Sequence, residues 1–162
     1  MLAFMIGARV CRVAAVSAAL LIAGCGSAAS RTPALSSLPL VPGARIVSQA
    51  RQCDPGTNSY CALILVLAAP RFRSSSDLLE AQHRRLRTAG WSSAAGDTGE
   101  QRAAESPGNK LRVTYATADG DLKGVDLGWI QRPRKITLAL SRALFDRLPA
   151  LSVMLELGSR RA

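Results

Sequence analysis

Cys53 and Cys61 enclose Asp54, Pro55, Gly56, Thr57, Asn58, Ser59 and Tyr60. Asp, Pro, Gly and Asn are turn formers, so the two thiols should face each other across a hairpin. The spacing is not CxxC and no histidine lies near, which argues against a redox or metal pair. In an oxidising compartment the expected product is a structural disulfide. Arg84, Arg85 and Arg87 form the densest basic group. Guanidinium groups match phosphate and carboxylate oxygens in pairs, so these three are the candidate contact for an anionic ligand. His83, the single histidine, stands between Gln82 and the arginines. Positive neighbours oppose an imidazolium or a bound metal there. A hydrolase would need His83 to meet a carboxylate and a hydroxyl.

Asp119, Gly120, Asp121 and Gly124 are spaced like the opening of a calcium loop, but Lys123 and Ile130 stand where two ligands should be. A solvated turn or helix start fits better. Trp91, Trp129, Tyr60 and Tyr115 are few enough that core duty is expected before ligand stacking. No GxSxG, Walker loop, HExxH or GxGxxG occurs, so neither a catalytic residue, a metal nor a cofactor is assigned.

At the N-terminus, Arg9 and Arg12 precede an apolar stretch from Val13 to Ile22, and small residues then lead to Cys25. This is the three-part order of an export signal. Its apolar run is short for a membrane span, which needs roughly 20 residues. Ile22, Ala23, Gly24 and Cys25, with Leu21 before them, resemble the lipobox of bacterial lipoproteins. The resemblance covers only this segment. It implies a signal peptide over residues 1–24, diacylglyceryl transfer to the Cys25 thiol, and palmitate-type chains that hold the protein on a membrane. Cys11 would leave with the signal, so one cysteine is removed, one lipidated and two are paired. Gly26 follows the lipidated position, which leaves open whether the outer face of the plasma membrane or an outer membrane carries the anchor.

Removal of the signal leaves about 138 residues, suited to one domain. Residues 25–39, rich in Ser, Ala and Pro, read as the lipidated cysteine and a flexible tether, and 40–162 as the single globular domain. The chain has 21 basic and 11 acidic residues, a formal charge of +10. Such a balance favours anionic partners such as lipid headgroups or wall polymer, and another envelope protein is a further candidate. Nucleic acid suits the charge but not the compartment.

Ala44 to Gln52 reads as a first strand, and Cys61 to Ala69 as a central one whose unbroken apolar run implies burial on both faces. A helix should start at Ser74 to Ser76, bury Leu78, Leu79, Gln82, Leu86 and Ala89, and stop at Gly90 and Trp91. Residues 92–109 suggest a loop or weak edge strand, and Leu111, Val113 and Tyr115 a half-buried strand. Thr117 to Trp129 supports no assignment. The alternation of Ile136, Leu138 and Leu140 suggests a last strand, although Ile136, Leu140 and Leu144 also satisfy helical spacing, and Leu148 to Leu157, with Pro149 near its start and Gly158 after its end, suggests a C-terminal helix. The expected class is α+β: a small, mainly antiparallel sheet with one principal helix across it, in a ferredoxin-like or related split arrangement. The expected role is a non-catalytic binding or organising module of the cell envelope, with an envelope hydrolase as the alternative.

Overall fold

Apolar strands dominate the chain's interior. In the computed structural model, which describes residues 32–53, 61–122 and 132–157, Arg45–Cys53 (β1) and Cys61–Ala68 (β2) pair antiparallel from Arg45 opposite Ala68 to Cys53 opposite Cys61. The helix Ser75–Thr88 (α1) follows, then the short strand Ser92–Ser93 (β3), Gln101–Glu105 (β4) and Leu111–Thr117 (β5). The helices Ala118–Leu122 (α2) and Arg134–Phe145 (α3) precede the last strand, Ala150–Leu157 (β6). The strands form one sheet in the order β1-β2-β6-β5-β4-β3. Every neighbouring pair is antiparallel.

The centre of the sheet is buried on both faces, as the unbroken run of β2 requires. Leu65 and Leu67 of β2 join Leu151, Val153 and Leu155 of β6 and Val113 and Tyr115 of β5 in a core closed by Leu78, Leu79 and Leu86 of α1. Ala62, Ile64 and Val66 turn the other way and join Met154 beneath Ile136, Leu140 and Ala143 of α3. The α+β class holds, with two principal helices on opposite faces of the sheet rather than one. A ferredoxin-like chain runs β-α-β-β-α-β, and the order ββαβββααβ found here is different.

Two elements of the C-terminal half exchange identity relative to the sequence expectation. Residues 134–145 are helix because Ile136, Leu140 and Ala143, three to four residues apart, are the buried ones, whereas Leu138 points to solvent. Residues 150–157 are strand, not helix. Ala150 to Leu155, apolar but for Ser152, is buried throughout and pairs with β2, from Ala68 opposite Ala150 to Ala62 opposite Glu156. Pro149 ends the turn that leads into this strand and accepts a hydrogen bond from Ala69 on its carbonyl. The packed chain also starts earlier than residue 40, because Leu38 is buried in the α1-side core.

The expected features of α1 are present. Ser74 Oγ accepts from the Asp77 amide at 3.0 Å. Gly90, at φ +82°, lets the Trp91 amide return to the Leu86 carbonyl, and Trp91 is buried in the core. The region 92–109 is an edge, formed by β3 and β4. Cys53 and Cys61 are disulfide-bonded at the end of the β1–β2 pair where the connecting residues leave and re-enter, with Cα atoms 4.0 Å apart. The turn formers from Asp54 to Tyr60 lie outside the described residues.

Candidate functional site

Helix α1 sorts its charges along its length. Asp77 occupies the first turn, where backbone N–H groups favour an anion, and Arg85 and Arg87 the last, where free carbonyls favour cations. Burial of Leu78, Leu79, Gln82 and Leu86 fixes the rotation of the helix and turns Arg84, Arg85 and Arg87 to solvent. Among the described residues none of the three has an acidic partner, whereas Arg73 is paired with Asp77 at 3.1 Å and Arg102 with Glu80 at 2.7 Å. Arg71, its guanidinium 4.9 Å above the Phe72 ring, extends the basic surface. Arg71, Arg73 and Arg84 share the walls of a shallow depression of about 430 Å³ with Phe72, Asp77 and Glu80. Asp77 and Glu80 in that depression are committed to Arg73 and Arg102, which leaves Arg84 at its wall, with Arg85 and Arg87 beyond, as the arginines open to an anion.

The N-terminal segment enters the domain on this same side of the sheet. Gln82, buried at the middle of α1, donates from Nε2 to the Pro39 carbonyl at 2.7 Å and accepts on Oε1 from the Val41 amide at 3.0 Å. Leu38 and Val41 are thereby set into the α1-side core.

His83 is half-buried and has a partner that the sequence did not disclose. Its Nδ1 lies 2.9 Å from the hydroxyl of Tyr115, a residue 32 positions away and fully buried on β5. Burial holds the Tyr115 hydroxyl protonated, and the charges of Asp97 and Glu80 add to this against the opposing effect of Arg102. Such a phenol is a hydrogen-bonding group and not an activated nucleophile. The nearby acids are also engaged: Asp97 accepts from the Ala103 amide at 3.0 Å, and Glu80 holds Arg102.

The remaining sequence candidates are dispersed. Asp121 is fully buried in α2 and bonded by the Arg132 guanidinium. Burial raises its pKa, while Arg132 and the hydroxyl of Ser152 act in the opposite sense. Its carboxylate therefore faces the interior and not a cation loop. Asp119 and Gly120 are in α2 with it, and Lys123, Gly124, Trp129 and Ile130 lie outside the described residues. Among the described residues no group of three or more His, Cys, Asp and Glu side chains could hold a metal ion. Cys25 also lies outside the described residues, and no described helix is long and apolar enough to cross a membrane. The Cys53–Cys61 bond fits a domain that folds outside the reducing cytoplasm. Comparison with protein families and with curated proteins found no match for this chain.

Proposed function

We propose that this chain is a lipid-anchored, non-catalytic module of the cell envelope that holds its α1 face against anionic lipid headgroups. The observation that carries the reading is the exposed trio Arg84, Arg85 and Arg87, without acidic partners among the described residues, on the side of the sheet where the N-terminal segment enters. From Cys25 to Thr32 the chain can reach at most about 25 Å. A domain of this size has a radius of gyration of roughly 14 Å, so a lipid on Cys25 would keep the α1 side close to the membrane surface. Each arginine near an anionic surface contributes about 1 kcal/mol, and two acyl chains supply the durable anchoring.

A hydrolase reading would draw on His83, whose hydroxyl partner is a buried, protonated phenol and whose neighbouring acids are committed elsewhere. These features favour the binding module.

The anchor is tested by Cys25→Ser in cells. The variant should accumulate unprocessed, incorporate no labelled palmitate, and lose the amphiphilic partitioning of the mature wild type in detergent. A correctly cleaved variant that stays in the membrane fraction would contradict lipidation.

A further inference from the structure

A second surface lies on the opposite side of the sheet from the α1 arginines. β1 ends the strand order, so among the described residues the outer edge of this nine-residue strand has no neighbour. Helix α3 crosses the sheet next to it, and a groove of about 530 Å³ runs between the two. Ala68, Ala139 and Ala143 are among its lining residues, with Val47 and Leu148 on the strand and turn sides and Leu138 on the helix. The small side chains let the groove approach the sheet, and the larger ones give it apolar walls. A register shift between Ile46 and Ser48 interrupts the β1–β2 ladder at Val47. Val47 is 47% exposed and Leu138 59% exposed. Phe145, the last residue of α3, is 87% exposed.

The charge around this groove is positive. Lys135 and Arg142 line it, and Arg134 and Arg147 stand exposed at the two ends of the same helix. Asp146, the one acid lining the groove among the described residues, lies 3.7 Å from Arg142 and neutralises only part of this set.

We propose that the β1–α3 groove binds an extended acidic peptide segment, which adds to the sheet as a strand along the outer edge of β1. The edge would supply main-chain hydrogen bonds, and alternate apolar side chains of the peptide would enter between Val47 and Leu138. Acidic side chains between them would meet Lys135 and Arg142. A second copy of this chain is disfavoured as the occupant, because its own edge would bring Arg45 and the same basic helix against like charge. The groove faces away from the α1 side, so a partner could be held while the α1 arginines contact a surface. The inference does not depend on the lipid anchor.

The test is selection from a random nine-residue peptide display library on the purified full-length protein, followed by synthesis of the enriched peptides. Enrichment of acidic sequences with alternating apolar residues is expected, together with slowed amide exchange in β1 on binding. Leu138→Glu and Arg142→Glu change exposed side chains, so the fold should persist by circular dichroism. Each should weaken the selected peptide by about tenfold or more, while Arg84→Gln on the opposite face should leave its affinity unchanged. Failure to enrich any peptide would overturn the proposal. So would enrichment of basic or helical peptides, β1 amides that stay unprotected, binding that survives Leu138→Glu, or self-association of the protein through this edge in sedimentation.

Discussion

Glu156 provides a quantitative check on how charge is handled inside the sheet. It sits on β6 between Ala62 of β2 and Arg112 of β5, and its side chain is only 15% exposed. Burial pushes its pKa from 4.5 up to about 7. Arg112 does not reverse this, because it lies 3.7 Å away and is shared with Glu105 at the same distance. A carboxyl whose native pKa is raised binds more protons in the folded than in the unfolded chain. Between pH 4.5 and about 7 folding stability should therefore fall as pH rises. That interval corresponds to a ceiling of about 3 kcal/mol, and the partial exposure of the side chain reduces the expectation to about 2 kcal/mol. Glu156→Gln removes the titration and keeps the shape. The variant should match wild type near pH 4.5 and exceed its stability by about 2 kcal/mol at pH 8. Urea unfolding followed by fluorescence of the buried Trp91 at a series of pH values measures the difference. Asp121, also raised by burial, contributes equally to both proteins and cancels. A variant less stable than wild type at pH 8 would refute the reasoning, because it would mean that the Arg112 contact outweighs desolvation.

Three further outcomes are expected. Mass spectrometry without reductant should find Cys53 joined to Cys61, and Cys53→Ala with Cys61→Ala should cost about 2 to 3 kcal/mol in urea unfolding without abolishing the fold. Gly120→Ala would place a methyl 2.8 Å from Thr117 Oγ1 and 2.9 Å from Glu100 Cβ, so thermal unfolding should show a loss of about 1 to 3 kcal/mol. Tyr115→Phe keeps the ring in the core and removes the bond to His83, a loss of about 1 kcal/mol, whereas Tyr115→Ala should cost several times more.

The sequence disclosed the elements whose local signals agree with their burial. β2 was legible because an unbroken apolar run bounded by Cys61 and Pro70 has few alternatives, and α1 because its serine cap, leucine stripe and glycine stop coincide. The same periodicity sets Arg84 and Arg87 off the leucine face, and Arg85 is exposed with them. The exchange between α3 and β6 has a physical origin. Ile136, Leu138 and Leu140 alternate in sequence although the middle residue is exposed, and Ala150 to Leu155, interrupted only by Ser152, has no period that separates a buried strand from a buried helix. Because β6 pairs with both β2 and β5, mistaking it for a helix hides the three-layer arrangement and the groove beside α3. The His83–Tyr115 contact joins residues on different elements, a relation that spacing along the chain does not encode.

The central claim is that the α1 face meets anionic headgroups, and vesicle retention of the domain from residue 32 onward tests it without help from a lipid. Wild type should bind vesicles containing anionic lipid at low ionic strength and release as salt is raised. Arg84→Gln, Arg85→Gln and Arg87→Gln combined should leave the unfolding midpoint nearly unchanged, since exposed charges contribute little to stability. The same variant should weaken vesicle binding by about 3 kcal/mol, a factor of more than 100. Equal retention of the two proteins at low salt, or retention on isolated wall polymer in place of vesicles, would contradict the account.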